Sequence, residues 1–477
     1  MSLALFTDLY EMTMAYGYWK QGIADREAVF QMHFRKWPFK GGFALMAGLE
    51  SFIRFVEEWR FSSDDLDYLS SLKTSTAEAL FPPEFLHFLK SFTFTCDIDA
   101  APEGSLLFPY IPFVRVRGPL WQAQFLESVL LTLVNFQTLI ATKAARICMA
   151  AAPDPVVEFG MRRAQGINGA ISASRAAFIG GCTATSNLLA ARLFGIPSKG
   201  THAHSWVMAF ENEEKAFEEF ATLMPSDSLF LIDTYDTVRG AKLAIEVAKK
   251  IKDPRFSFGG VRLDSGDLAQ LSIQVRSLLD RAGFTKSAIM ATSELDEYLI
   301  RDLKQQGAKI DVWGVGTHLV TGKEQPALDG VYKLSAIKDA QGKWVPKMKL
   351  SNQAAKTTTP GILQVRRFFD GTHYLADTIY DELFSLPDPL QSVGIQDPRD
   401  VRSFSGKLQS EDLLVPIFRG GKLVYTLPSI LEIQGYGKRE LERLPEGRKR
   451  FINPDPYFVG LEKGLDERKI SCSTFHH

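Results

Sequence analysis

Between residues 199 and 321 the sequence predicts an α/β fold with a parallel sheet. Short apolar runs read as buried strands, each run ends in a polar residue able to do chemistry, and stretches of helical spacing separate them. The runs are 228–232 before Asp233, 256–261 before Arg262 and Asp264, 288–290 before Thr292, and 310–313 before Gly314-Val-Gly-Thr317. Alternation of strand and helix puts the loops at the strands' carboxyl ends on one side, so these polar residues are expected to converge. Just upstream, the segment 199–205 sets His204 among small polar residues.

Three regions follow along the chain. Residues 1–125 read as an N-terminal α+β domain, with amphipathic segments at Leu49–Trp59 and Asp64–Leu72 and β-rich pieces around Phe92–Ile98 and Leu106–Val116. Residues 126–335 hold the α/β core. They begin with the longest uncharged apolar stretch, Ser128–Thr142, which is shorter than the roughly 20 residues that cross a bilayer and contains Asn135 and Gln137, so a core helix is expected. Residues 336–477 read as a β-rich region packing on the N-terminal domain, with hairpin turns at 338–343 and at Asp370-Gly371. The charged tract Lys438–Arg450 reads as a solvated surface segment.

At 477 residues, 45% hydrophobic and 23% charged, the chain has enough apolar residues for a large core divided among two or three domains. A formal net charge of -1 lacks the basic footprint of a nucleic-acid binder and points to a small-molecule ligand. Cys96, Cys148, Cys182 and Cys472 show neither C-x-x-C spacing nor a secretory pattern, and the start of the chain has an acid, Asp8, where a signal peptide continues apolar. A cytoplasmic protein with no membrane partner is expected.

The motifs carry the chemistry. Val261-Arg-Leu-Asp-Ser-Gly-Asp267 places a cation, two carboxylates and a glycine where a strand passes into a helix. It fits a polyphosphate ester site, and it fits equally an acidic helix cap beside an arginine. Asp233-Thr-Tyr-Asp236 adds two acids at another strand end, and Gly314 and Gly316 before Thr317 make either a phosphate cradle or a simple turn. In Phe159-Gly-Met-Arg-Arg, Arg162 and Arg163 can fork onto an anion while Phe159 stacks on a flat heterocycle. The Gly, Thr, Ser and Asn residues of 177–187 donate to a ligand or cap a helix.

Taken in order, Thr7-Asp-Leu-Tyr-Glu-Met-Thr13, 159–166, 179–181 with 185–187, 200–205, 233–236, 261–267, 314–317 and 330–334 with 348–350 resemble the nicotinate phosphoribosyltransferase family across most of residues 5–355. The resemblance implies an irregular α/β barrel and a head-to-tail homodimer with shared active sites. It implies transfer of phosphoribose from 5-phosphoribosyl 1-pyrophosphate to nicotinate, with Mg²⁺ and with ATP hydrolysed through a phosphohistidine. By position, His204 matches the phosphorylated histidine, Thr201 and Arg262 the nicotinate contacts, and Tyr10 of a partner subunit and Phe159 the ring sandwich. Arg162 and Arg163 match anion-holding residues, Asp233 and Asp264 the ribose and metal region, and Gly314, Gly316 and Thr317 the 5′-phosphate site.

The same resemblance separates acid from amide substrate. Relatives that use nicotinamide have an acidic residue after the threonine matching Thr185, whereas this chain has Ser186, and a carboxylate there would repel nicotinate. Two departures stand out: Ala184 where many relatives have glycine, and His202 where relatives often have an apolar residue. A nicotinamide-type enzyme, a shorter and more basic quinolinate-type enzyme, a catalytically silent binding homologue and a barrel aldolase are the alternatives. The His204 motif and the length weigh against the quinolinate type, and no Schiff-base lysine suggests itself for the aldolase.

Overall fold

The structure, a computed structural model, describes residues 3–350 and 357–474, so the end of the 5–355 span lies outside the described residues. The chain forms two compact units, one of residues 1–139 with 327–477 and one of residues 140–326. The architecture is mixed α/β, with a parallel half-barrel sheet in the second unit and a β-rich C-terminal region in the first.

The first unit takes strands from both ends of the chain. Its seven-stranded sheet runs Trp344–Pro346, Val331–Lys338, Glu27–His33, Val114–Pro119, Asp97–Ala100, Val415–Arg419, Lys422–Leu423, with every pair antiparallel. Glu27–His33 is an interior strand, paired on both sides, and is buried from Ala28 to Met32. A six-stranded sheet contains the hairpin Leu363–Asp370 with His373–Asp381, joined at Asp370 and His373 as the turn signal requires. Residues 92–96, expected to be β-rich, are not a strand. Their aromatic alternation serves ring packing instead: Phe92 and Phe94 lie 4.8 and 5.8 Å from the Trp59 ring.

The charged tract at 438–450 also departs from expectation. Its first part belongs to the helix Ile430–Arg443, which Ser429 and Glu432 cap reciprocally. Glu440 in it is 1% exposed, accepts the Tyr374 phenol and lies 3.9 Å from the buried Arg367. A charge at that depth is tolerable because it has partners.

The apolar stretch after residue 127 forms the helix Glu127–Ala151. Together with the preceding turns, Leu120–Ala151 is long and apolar enough to cross a membrane by composition alone, yet most of its apolar window is buried. Buried Lys143 and Arg146 on this helix each contact Glu297 at 2.7 Å, and Lys143 also reaches Glu324 at 2.6 Å. Dry, paired charges of this kind belong to a core helix.

In the second unit the parallel strands are β1 (Val156–Glu158), β2 (Ala184–Thr185), β3 (Ser228–Leu231), β4 (Phe258–Leu263), β5 (Ala288–Ala291) and β6 (Val312–Val315). Their spatial order is β2-β1-β6-β5-β4-β3. The intervening helices are α1 (Gly166–Ile179), α2 (Leu188–Phe194), α3 (His204–Met208), α4 (Glu213–Leu223), α5 (Thr237–Lys250), α6 (Leu268–Arg281), α7 (Glu297–Gln305) and α8 (Thr317–Val320). Asn187, Asn212, Asp236, Asp267 and Asp296 cap α2, α4, α5, α6 and α7 by accepting backbone N–H groups of the first turn. Asp236 and Asp267, the second acids of their motifs, are therefore committed to helix starts, which leaves Asp233 and Asp264 for chemistry. No ladder joins the outer strands β2 and β3 among the described residues, but Ser198 makes one parallel bridge to Thr185.

Replacing Lys143 with Met leaves Glu297 without one of its two buried cations and is expected to cost about 3 kcal/mol in urea unfolding.

Candidate active site

A cavity of about 350 Å³ opens at the carboxyl ends of β1, β4, β5 and β6. Phe159, Arg162 and Arg163 reach it from the loop after β1, Ser186 from the end of β2, and Arg262 and Asp264 from β4 and its exit. Thr292 follows β5, Gly314 lies within β6, and Gly316 and Thr317 lead from β6 into α8. Thr201 closes the cavity from the loop before α3. A larger cavity of about 870 Å³ lies within the first unit, beside His33, Lys333 and Lys469, and none of the expected site residues lines it.

Arg262 organises the wall. Its Nε donates to the Thr292 hydroxyl at 2.9 Å, Nη1 to the Thr201 hydroxyl at 3.0 Å and to the His202 carbonyl at 3.3 Å, and Nη2 to Asp264 Oδ1 at 2.9 Å. The Thr292 hydroxyl also donates to Asp264 Oδ1. A planar fork of fixed donors thereby aligns three separate segments. Burial raises the Asp264 pKa, but the hydrogen bonds from Thr292 and Arg262 and the Arg262 charge outweigh it and hold the carboxyl below its ordinary range. Asp264 is ionised at neutral pH.

Asp233 stands at the next strand end. Its Oδ2 accepts the Asp264 backbone N–H at 2.9 Å and the Ser265 hydroxyl at 2.7 Å, while the buried Oδ1 has no hydrogen-bond partner. His204 opens the short helix α3. Its Nδ1 lies 3.2 Å from the Thr234 hydroxyl and its Nε2 3.7 Å from Asp264 Oδ2, and its side chain is 41% exposed. His204, Asp233, Asp264, Arg262 and Thr201 thus form one connected group. Tyr10 belongs to the first unit, on the helix Leu9–Lys20, and is 47% exposed.

The glycines of β6 make room for the aromatic. A Cβ on Gly314 would come within 2.5 Å of the Thr292 methyl and 2.8 Å of the Phe159 ring. Gly160 is equally constrained, since its Cβ would meet Val320 at 2.3 Å.

Several contributing residues were not singled out from the sequence. Glu158, fully buried, accepts the Gly160 N–H, the Ser174 hydroxyl at 2.8 Å and the Thr185 hydroxyl at 2.6 Å, and so ties the Phe159 loop to the start of the Ser186 loop. The signal was available, as an acid at the end of an apolar strand must find partners. Glu294 lines the cavity and accepts the Thr317 hydroxyl at 3.1 Å. Nothing in its local pattern marked it. Glu213, 6% exposed at the start of α4, has Oε1 without a partner. Burial pushes its carboxyl up to about 7, with Arg239 opposing and Asp233 and Asp236 adding.

Comparison with known proteins identifies the family. Residues 5–135 match the model of the nicotinate phosphoribosyltransferase N-terminal domain, 155–373 that of the nicotinate phosphoribosyltransferase family and 363–469 that of its C-terminal domain. Nicotinate phosphoribosyltransferase of Bacillus subtilis (strain 168) is 43% identical, over 98% of this chain and 95% of its own. The crystal structure of human nicotinic acid phosphoribosyltransferase superposes with a TM-score of 0.86 at 30% identity, covering 98% of this chain and 99% of that one. Nicotinate-nucleotide pyrophosphorylase from Pyrococcus furiosus shares the fold, with a TM-score of 0.68 at 22% identity over 93% and 96% of the two chains.

Glu213 generates a pH-dependent prediction. Its carboxyl takes up a proton more readily in the folded chain than at its ordinary value of 4.5, so its burial penalty is absent below that value and grows until about 7. Glu213→Gln should therefore raise the melting temperature at pH 8 and leave it close to wild type at pH 4.5. Equal shifts at both pH values in differential scanning calorimetry would contradict this.

Proposed function

The chain belongs to the nicotinate phosphoribosyltransferase family, and from that premise we propose that the cavity around Arg262 is where it works. The enzyme joins nicotinate to the phosphoribosyl group of 5-phosphoribosyl 1-pyrophosphate, releasing pyrophosphate and forming nicotinate mononucleotide for NAD salvage. The observation that carries the site reading is the fork of Arg262, which holds Thr201, Thr292 and Asp264 on one wall while Phe159 lines the same cavity. A guanidinium and a hydroxyl receive the pyridine carboxylate, and Phe159 offers a ring face, with Tyr10 of a partner subunit closing the other side. Ser186, uncharged, lines the pocket where an acid would repel the anion.

The reaction breaks the bond between C1 of the sugar and the pyrophosphate oxygen while the pyridine nitrogen supplies the electron pair for the new C–N bond. No proton has to be removed from that nitrogen near neutral pH. Positive charge grows on the sugar and negative charge on the leaving group, so the ionised Asp264 beside the sugar and Arg162 and Arg163 beside the anions each stabilise what the transition state develops. Gly314, Gly316 and Thr317 take the 5′-phosphate. Positioning of this kind supplies on the order of 7–11 kcal/mol.

Asp233 and Asp264 fit Mg²⁺: both offer hard oxygens at adjacent strand ends, and Asp233 Oδ1 is buried without a partner. The ion would supply neutralisation of pyrophosphate charge. His204, partly exposed and beside Asp264, is the residue we assign to phosphoryl transfer from ATP. Its ring nitrogen takes the γ-phosphoryl group, ADP leaves, and the resulting phosphohistidine is later hydrolysed.

An irregular barrel and a homodimer complete the reading. Segment 198–202 occupies the gap between the outer strands through the Ser198 bridge to Thr185 and the contact of His202 with Leu231, which supports closure into a barrel. Ile167, Leu188 and Leu193 are 76%, 74% and 57% exposed, an apolar cost that a second subunit would remove. Four free cysteines suit a reducing cytoplasm.

An assay of nicotinate mononucleotide formation with Mg²⁺, run with and without ATP, tests the reading. Efficiency for nicotinate should exceed that for nicotinamide by more than about a hundredfold, and comparable values would defeat the assignment of Ser186 and Arg262. Asp264→Asn should lower kcat by about a hundredfold or more. Incubation with γ-labelled ATP should place an acid-labile label on the wild type that His204→Ala lacks; an unlabelled wild type would remove the phosphohistidine from the mechanism.

A further inference from the structure

His202, the neighbour of the proposed nucleophile's neighbour, lies at the open seam of the half-barrel. It is 7% exposed, and Phe220 of α4 meets its ring edge-on with centroids 4.7 Å apart. The Leu231 backbone N–H at the end of β3 donates to His202 Nε2 at 3.2 Å. A backbone N–H can only donate, so Nε2 accepts, the ring proton sits on Nδ1, and Nδ1 faces the Ala203 carbonyl at 3.3 Å. Both ring nitrogens are thus used by a single neutral tautomer.

That bond occupies an unusual place. Leu231 lies two residues before Asp233, and β3 is an outer strand with no ladder on its free edge among the described residues. Thr201 on one side of His202 and His204 on the other both belong to the candidate site, and the His202 carbonyl accepts from Arg262. We infer that His202 is a positioning residue for the reaction: its imidazole pins the loop carrying Thr201 and His204 to the edge strand carrying Asp233, closing the seam with a side chain. The inference rests on the site reading above and adds to it a residue whose imidazole acts through the loop of Thr201 and His204 and the strand of Asp233.

The surroundings keep the ring neutral. Trp206 of α3 and Phe217 and Phe220 of α4 pack around it, and the charged groups near it are Arg262 and, when protonated, His204. Burial lowers its pKa to about 4, the Ala203 carbonyl opposing and Arg262 and His204 adding. The sign follows: as pH falls from 6.5 towards about 4 the unfolded chain binds this proton first, so the clamp loses stability across that window while remaining intact at neutral pH.

The test compares wild type with His202→Leu, which keeps bulk and removes the acceptor, and His202→Gln, which restores an acceptor near the Nε2 position. Amide exchange of a peptide spanning 228–233 in the ligand-free protein should be about tenfold faster in the Leu variant, the worth of one hydrogen bond, and return to within about threefold of wild type in the Gln variant. The KM for nicotinate should rise about tenfold in the Leu variant with kcat changed less than about threefold, and Gln should rescue it. Wild-type exchange in the Leu variant, an unchanged KM, or a Gln variant as impaired as Leu would overturn the inference, since packing alone predicts those results. Should the Leu variant fail to fold, the ¹⁵N spectrum of labelled histidine decides, because a His202 ring protonated on Nε2 at neutral pH is incompatible with the clamp. Failure of the site reading would show instead as a wild type without nicotinate turnover, which leaves the exchange measurement standing.

Discussion

One guanidinium holds the site together. Arg262 stands at the carboxyl end of β4, and three of its nitrogens reach three different segments: the loop after β5, the loop before α3, and its own strand exit. Because the group is planar, permanently charged and donor-only, its partners must all be acceptors in one plane, and Thr292, Thr201, the His202 carbonyl and Asp264 meet that demand. The geometry of the pocket follows from this constraint more than from any feature of the surrounding loops. It also explains why Asp264 remains charged although partly buried.

The fold was largely legible where periodicity is strong. The runs at 228–232, 256–261, 288–290 and 310–313 correspond to β3, β4, β5 and β6, shifted by up to two residues at their ends. The hairpins at 338–343 and 370–371 were legible for the same reason, as their turn residues leave few other conformations. Residues 92–96 and 438–450 misled, because aromatic alternation and charge density describe composition but not partners. Phe92 alternates to reach Trp59, and Glu440 is dry because Tyr374 and Arg367 come from far along the chain.

The site was legible to the extent that its residues cluster in motifs. Phe159, Ser186, Thr201, Arg262, Asp264, Gly314 and Thr317 line one cavity, and His204 and Asp233 join them through hydrogen bonds or close approach. Spacing could not apportion the acids, although the family resemblance did: by residue type Asp236 and Asp267 are as suitable as Asp233 and Asp264, and it is the helix starts that claim them. Nor did spacing show that Glu213 is buried, since that depends on how its helix packs.

The way the units are strung along the chain bears on how the molecule is made. Residues 140–326 are contiguous, so this half has all its strands once the ribosome has passed them. The strand Asp97–Ala100, translated early, waits for Val415–Arg419 before its ladder is filled. Nascent chains therefore carry an unsatisfied sheet edge through most of translation, an invitation to chaperones and to aggregation whenever synthesis stalls.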